Sequence, residues 1–357
     1  MPMRRSHTTG FVGAVPPTPS LPSTPSAPKE KVILEGVEET LMAAIWCRAK
    51  DAQSANPLLG DPYAQYVLDR CDVDYTRSTF ASLHDERFGR FIAGRGKEMD
   101  AWCVSWLESH GDNPCQVLQL ACGIDSRAYR IKRGPNVRWI DLDKPLVTNL
   151  RQRLYTEPPE GDYCLRSLSV TNEHWLGDIP QDRPTLVIAE GLLMYLKAEQ
   201  SKKVITDVVN YFDLGGQIIF DVLGTILQKY SSQISWLKSS GATYGYGVDE
   251  PGEVSALHPE LRLLQRQYWH EYMQVERKVS CAPPWFGQKI TKVAAVLPSF
   301  KDFGQIMQFE WDDRDERGRK DSTLSRPDST LSSRPASSRP ASSRPTSTMS
   351  RKDSLLE

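Results

Sequence analysis

The sequence predicts an α/β fold, in which a mostly parallel sheet carries helices on both faces and further helices lie near the N-terminus. Short, nearly continuous apolar runs alternate with segments of helical spacing, which is the pattern of strands buried on both faces and connected by helices. The chain has 357 residues, of which 39% are hydrophobic. That is enough apolar material for a large core.

Apolar spacing places the elements along the chain. The predicted helices are residues 36–50, 85–109, 199–212 and 287–301, and the predicted strands are residues 116–120, 137–142, 163–170, 185–190, 217–223, 261–269 and 304–311. Gly215 and Gly216 are expected to end the helix over 199–212. We expect the segments 36–80 and 225–285, which include some of these elements, to form a lid over the sheet.

Both ends of the chain differ from the body in composition. Residues 1–30 hold seven prolines among Ser and Thr, and residues 313–357 are dominated by a Ser/Arg/Pro repeat in which SSRPA recurs. Such segments cannot bury enough apolar surface to offset their ordering entropy. The sequence therefore predicts two disordered tails, of unknown partners, around one folded domain at residues 31–312.

Composition excludes several classes of protein. A net charge of −1 argues against a nucleic-acid partner. No apolar run reaches the ~20 residues that span a bilayer and no signal peptide is recognisable, so a cytoplasmic protein without membrane contact is expected. The seven cysteines contain no CxxC pair and the six histidines have no metal-ligand spacing. We therefore expect reduced thiols and no metal site.

Candidate ligand-binding residues follow the strands, because ligands of open parallel sheets bind beyond the carboxyl ends of the strands. The turn Ala121-Cys122-Gly123 lacks the glycines of G-x-G-x-x-G, and no phosphate loop occurs in the chain. Asp143 stands twenty residues beyond Gly123, a spacing that suits a carboxylate bound to two ribose hydroxyls. The same residue could instead only cap the helix that begins at Pro145. Together these features suggest a site for S-adenosylmethionine.

Six sequence blocks carry a resemblance to a known family. VLQLACGIDSRAYRI, WIDLDKP and LVIAEGLLMYL resemble the signature blocks of the leucine carboxyl methyltransferase family, and VILEGVEETL, DPYAQYV and FIAGRGKEMD are similar to its small-molecule branch of polyketide O-methyltransferases. The resemblance covers about residues 31–312. It implies a class I methyltransferase fold of the Rossmann-like type, with S-adenosylmethionine as the cofactor.

The resemblance also implies roles for cofactor-binding residues. Gly123, with Ala121 before it, would form the turn against the methionine part, and the family usually has Gly where Ala121 stands. Asp143 would hold the ribose. Arg95 matches the arginine that pairs with the cofactor's carboxylate, and Arg48 matches a second basic position near the same end. A planar guanidinium can make that pairing bidentate, which lysine cannot.

Four further residues complete the expected site. Ser169 or Val170 stands where the family often has an Asp toward the adenine. Glu190 matches the acidic residue that closes the fourth strand, at the junction of cofactor and acceptor, and Tyr195 on the following helix would face the acceptor. Glu190 could also simply cap that helix, and Tyr195 could be core.

The expected reaction is methylation of a carboxylate or hydroxyl of a small molecule, for which the Tyr and Trp residues of the lid favour an aromatic, polyketide-like acceptor. Three other functions remain open. The acceptor could be a protein's C-terminal leucine carboxylate. The chain could be a non-catalytic cofactor-binding protein that uses its tail for partners, or an NAD(P)-dependent oxidoreductase, which the missing glycines disfavour.

Overall fold

A seven-stranded sheet forms the centre of the molecule. The computed structural model describes residues 29–32, 38–73, 86–233, 237, 241–272 and 304–314. The strands of the sheet are β3 (Cys115–Leu120), β4 (Val137–Asp143), β5 (Asp162–Ser167), β6 (Thr185–Ala189), β7 (Leu214–Leu223), β8 (Arg262–Tyr268) and β9 (Gly304–Asp313), and a separate parallel pair is formed by β1 (Glu30–Lys31) and β2 (Cys71–Asp72).

The strand order is β5-β4-β3-β6-β7-β9-β8. Strands β3 to β7 pair in parallel, while β9 is antiparallel to both of its neighbours. The chain leaves β3 toward one edge of the sheet and continues from β6 toward the other. Such a change of direction opens a crevice between the two central strands, which is where doubly wound sheets bind their ligands.

Helices cover the sheet and extend beyond it. They are α1 (Glu39–Ala52), α2 (Pro62–Arg70), α3 (Glu86–His110), α4 (Arg127–Arg130), α5 (Pro145–Leu154), α6 (Ala198–Tyr211), α7 (Thr225–Lys229), α8 (Pro251–Ser255) and α9 (Trp269–Tyr272), with 3₁₀ turns at Leu193–Tyr195 and Ser231–Gln233. None of the helices in the described part of the chain is long and apolar enough to cross a membrane.

The core lies on both faces of the sheet. Val117 and Leu118 are consecutive in β3 and fully buried, yet they belong to two different apolar clusters. Because successive side chains of a strand point to opposite faces, each face must be covered. One face packs against Met99 of α3 and the other against Val208 of α6. The predicted α/β fold with helices on both faces is thereby confirmed.

The helices α1 and α2 form a third apolar cluster above the carboxyl end of the sheet. Met42 and Ile45 of α1 pack with Val67 of α2, Ile92 of α3 and Leu150 of α5. This packing places one face of α1 over the crevice between the central strands. The helical N-terminal region therefore lies beside the expected ligand site.

The structure corrects three local predictions. The third predicted strand ends at Ser167 rather than at residue 170. The helix α6 ends at Tyr211, so Gly215 and Gly216 do not end it but lie at the start of β7. Both positions need glycine there, because Gly215 has φ +75° and a Cβ on Gly216 would lie 2.2 Å from the Thr185 carbonyl oxygen. Tyr195 ends a 3₁₀ turn, and the next helix begins only at Ala198.

Several predicted segments lie outside the described residues. These are residues 1–28 and 315–357 of the two tails, the helix over 287–301, and the lid aromatics Trp236 and Trp285. The inner ends of the predicted tails are described, and there Glu30 lies in β1 and Asp313 in β9.

Candidate functional site

A cavity lies beyond the carboxyl ends of β3, β4 and β6, at the crevice where the strand order reverses. It is lined from above by α1 and α3. Seven of the nine predicted site residues line it: Arg48, Arg95, Ala121, Gly123, Asp143, Glu190 and Tyr195. The topology thus brings together side chains that are up to 147 positions apart in the sequence, Arg48 and Tyr195 being the extremes.

Ser169 and Val170 lie outside this lining. The Ser169 hydroxyl is 2.8 Å from the Thr171 hydroxyl, and Val170 is buried in the apolar cluster on one face of the sheet. Because β5 ends at Ser167, both residues stand in the loop beyond it. A role for either in binding adenine remains a prediction.

The turn after β3 has an unusual backbone. Ala121 has φ +48° and Gly123 has φ +55°, so both residues are in the left-handed region. Glycine adopts this region freely, whereas alanine does so at a cost of ~1–2 kcal/mol. A Cβ on Gly123 would also lie 2.7 Å from Leu41 Cδ2 of α1. The positive φ favours glycine at 123, whereas the contact with Leu41 involves the movable end of a flexible side chain. The alanine at 121 is strained by its own positive φ.

Asp143 connects this turn to β4. Its Oδ2 accepts a hydrogen bond of 2.7 Å from the Gly123 N–H, and its Oδ1 accepts one of 2.7 Å from the Lys144 N–H. The residue is 7% exposed, and this burial raises the pKa of its carboxyl group. A carboxylate offers about four lone-pair positions, so each oxygen of Asp143 can accept a second hydrogen bond.

Glu190 is surrounded by three arginines. Its Oε1 lies 2.8 Å from Arg48 Nη2 and 3.0 Å from Arg95 Nη2, and its Oε2 lies 2.6 Å from Arg127 Nη2. Burial alone would raise the pKa of this carboxyl group, but the three guanidinium groups lower the pKa to about 2. Glu190 is therefore ionised at neutral pH, and it is a poor proton acceptor.

Arg95 bridges two strands through two carboxylates. Besides Glu190 after β6, it binds Asp221 of β7, with 2.8 Å between Nη1 and Oδ2. Asp221 Oδ1 in turn accepts a hydrogen bond of 2.6 Å from the Gly191 N–H. Sequence reasoning missed Asp221. The signal was present, since it is the one charged residue in the apolar run 217–223.

The same network extends toward the turn after β3. Asp125 lies 2.7 Å from Arg48 Nη1 and 3.1 Å from Arg127 Nη1. Arg48 is 3% exposed, and its Nε is buried without a hydrogen-bond partner in the structure. An unpartnered buried N–H costs free energy, and a bound acceptor atom would relieve that cost. Arg48 lines the cavity, although the Nε–H itself is enclosed by protein atoms.

Tyr195 lines the cavity on its other side. Its hydroxyl hydrogen-bonds with Thr40 of α1 and with Tyr244, whose ring centroid lies 5.3 Å away. Burial raises the pKa of Tyr195 and of Tyr244. Both phenols are therefore neutral hydrogen-bonding groups at neutral pH rather than bases.

Among the described residues no group of three His, Cys, Asp or Glu side chains could hold a metal ion. The cysteines in the described ranges are all free: Cys47, Cys71, Cys103, Cys115, Cys122 and Cys164. Burial raises the pKa of Cys122, which lies in the turn itself, well above its ordinary value. The thiol is therefore a small packing group there.

Comparison with known proteins finds similarity to methyltransferases. The family model of leucine carboxyl methyltransferase matches residues 40–209. Tetracenomycin polyketide synthesis O-methyltransferase TcmP of Streptomyces glaucescens is 36% identical over 237 residues, which are 66% of this chain and 84% of that protein. The S-adenosyl-L-methionine-dependent methyltransferase dpfgK of Gibberella zeae is 34% identical over 261 residues, 69% of this chain and 87% of that protein.

A solved structure of a DUF574 family protein from Streptomyces avermitilis is also similar. It is 11% identical, with a TM-score of 0.46, and the match covers 76% of this chain and 96% of that chain.

Proposed function

The chain belongs to the leucine carboxyl methyltransferase family, and from this premise we propose that it methylates an oxygen atom, of a carboxylate or a hydroxyl, on a small acceptor molecule. It is an S-adenosylmethionine-dependent methyltransferase. The observation that supports binding of the cofactor is the position of Asp143, which lines the cavity beside the left-handed turn at Gly123. The observation that supports oxygen as the acceptor atom is that neither Glu190 nor Tyr195 in the lining is a base at neutral pH, which suits an acceptor that is already ionised.

The residues of the cavity fit the nucleoside part of the cofactor. Asp143 keeps acceptor capacity on both oxygens, as the two hydroxyls of a ribose require. Gly123 lines the cavity and has no side chain that would occupy the space of the ligand. An adenosine without a pyrophosphate needs no phosphate cradle, and the turn provides none.

The residues also fit the methionine part. Arg48 and Arg95 both line the cavity, and their guanidinium groups would bind the carboxylate of the cofactor. Both guanidinium groups are held in place by Glu190, so they are oriented before the ligand arrives. A donor that is already oriented loses less entropy when the ligand binds.

When bound, S-adenosylmethionine would supply an electrophilic methyl carbon on a positively charged sulfur, and that sulfur would keep the electrons of the broken C–S bond and leave as a neutral thioether. The protein's task is then to align the acceptor oxygen with that methyl group. A carboxylate acceptor, with a pKa of ~4, is already ionised at neutral pH, whereas a phenol, with a pKa of ~10, needs a base.

The groups that line the cavity favour the carboxylate. Glu190, with a pKa of about 2, would not remove a phenolic proton, and Tyr195 has a raised pKa. A general base works best when its pKa lies near the operating pH. Glu190 thus acts in this proposal by holding Arg48 and Arg95, and Tyr195 acts as a hydrogen-bonding group toward the acceptor.

The test is methyl transfer from labelled S-adenosylmethionine to 2-naphthoic acid and to 2-naphthol. A methyl ester formed from the acid releases methanol in mild alkali, while an aryl methyl ether does not. The proposal predicts alkali-labile label on the acid. Label found only on nitrogen or carbon of other acceptors would contradict O-methylation.

A second acceptor is favoured by the family match over residues 40–209, namely the C-terminal carboxylate of a protein that ends in leucine. A leucine-ending peptide in the same assay separates it from the small molecule.

The free cysteines support a cytoplasmic location. Fractionation of the cells that express the chain tests this location.

A further inference from the structure

The turn 121–125 has one backbone hydrogen bond of its own, from the Asp125 N–H to the Cys122 carbonyl oxygen at 3.1 Å. Two of its residues, Ala121 and Gly123, are left-handed. The carbonyl oxygens of residues 123 to 125 take no part in that bond, and buried carbonyls need donors. Something outside the turn must therefore hold it in the shape that faces the ligand.

Arg151 of α5 supplies those donors. Its Nη1 donates to the Gly123 carbonyl oxygen at 3.2 Å and to the Asp125 carbonyl oxygen at 2.6 Å. Its Nη2 donates to Asp141 Oδ2 at 2.7 Å. Arg151 is 2% exposed, so these bonds are shielded from water.

Asp141 gives the guanidinium group a fixed support. It is fully buried in β4, where it also accepts hydrogen bonds of 2.8 Å from Trp139 Nε1 and 2.9 Å from the Tyr163 hydroxyl. The Asp141 carboxylate raises the pKa of Arg151, so the guanidinium group stays charged although it is buried. A carboxylate held by three donors cannot rotate, and the arginine that it anchors is equally constrained.

A second side chain, on the residue that directly follows α5, acts on the same turn. The hydroxyl of Tyr155 donates to the Ile124 carbonyl oxygen at 2.9 Å. The carbonyls of three consecutive residues thus point toward α5. The Gly123 N–H donates to Asp143. The two peptide groups that flank the Gly123 Cα are therefore held by Arg151 and by Asp143.

We propose that Arg151 is a positioning residue of the methyltransferase: it braces the carbonyls of Gly123 and Asp125 against β4, so that the Gly123 N–H is held toward Asp143 and the Asp143 carboxylate is held toward the ribose. This inference rests on the proposed function. It concerns a side chain that does not line the cavity and acts through the turn.

The test uses Arg151→Lys, because lysine keeps the charge opposite Asp141 and the protein keeps its buried ion pair. An ammonium group cannot bind the carboxylate and both carbonyls in the planar arrangement of a guanidinium. We expect the Kd for S-adenosylhomocysteine, measured by calorimetry, to rise about fivefold to tenfold. Tyr163→Phe is the matched control, since it removes a bond to the same Asp141 but none to the turn. Its Kd should stay within about twofold of the wild type.

A double-mutant cycle with Asp143→Ala separates positioning from general destabilisation. If Arg151 acts through Asp143, Arg151→Lys weakens binding far less in the Asp143→Ala background than in the wild type. Equal losses in both backgrounds, or an unchanged Kd in Arg151→Lys itself, would overturn the inference. Failure of the wild type to bind S-adenosylhomocysteine would instead overturn the proposed function.

Discussion

Replacing Asp143 by alanine tests the cofactor site at its most informative residue. The 7%-exposed carboxylate would give charged hydrogen bonds to the ribose, which contribute about 1.5–3 kcal/mol. Their loss should raise the Kd for S-adenosylhomocysteine roughly 10- to 150-fold. The change also leaves the buried Gly123 N–H without its 2.7 Å partner, so the free energy of unfolding should fall by about 1–3 kcal/mol. Calorimetry measures the first effect and urea unfolding the second.

A control variant separates the two effects. Asp207 of α6 accepts a hydrogen bond of 3.1 Å from Trp175 Nε1 and lies outside the lining of the cavity. Asp207→Ala should therefore lower the free energy of unfolding without changing the Kd. An Asp143→Ala protein that is folded and binds S-adenosylhomocysteine as tightly as the wild type would refute the assignment of the ribose to Asp143.

Four other changes test the remaining interactions. Arg95→Lys should raise the Kd for S-adenosylhomocysteine about tenfold, since one ammonium cannot replace the fork between Glu190 and Asp221, and an unchanged calorimetric Kd would refute this. Ala121→Gly should raise the free energy of urea unfolding by about 1 kcal/mol because it relieves the left-handed strain, and a decrease would contradict the strain. The pKa of Glu190 is about 2 against an ordinary 4.5, so its ionisation stabilises the fold above pH 4.5 by on the order of 3 kcal/mol, and that stability is lost as the pH falls toward 2. The free energy of unfolding should accordingly depend less on pH between about 5 and 3 in Glu190→Gln, and an equal dependence would contradict the pairing. A chain shortened to residues 31–317 should keep its thermal transition and its Kd, and loss of either would show that a tail contributes to the domain.

The fold was predictable because its strands are buried on both faces and therefore appear as continuous apolar runs. The errors arose where one residue type serves two structures. Gly215 and Gly216 fit a helix end by composition, but tertiary contact decided their place, since the Thr185 carbonyl oxygen leaves no room for a side chain at 216. The predicted strand over 163–170 is longer than β5, because Leu168 and Val170 pack in an apolar cluster on one face of the sheet but lie beyond the last paired residue of the strand.

The site was predictable where residues follow strand ends. Sheet topology alone brings Gly123, Asp143 and Glu190 to one edge, and all three line the cavity. The partners of those residues were not predictable, because contacts between distant helices and strands depend on the packing of the whole chain. Asp221 and Arg151 illustrate this, since Asp221 is the one charged residue of β7 and Arg151 is one of two arginines in α5, and neither pattern shows what the side chain binds.

A crystal structure of the chain with S-adenosylhomocysteine is the most direct test of the account. We expect the nucleoside to lie in the cavity beyond β3 and β4, with both ribose hydroxyls within hydrogen-bond distance of the Asp143 carboxylate. A nucleoside bound in another place, or a ribose that Asp143 does not touch, would contradict it.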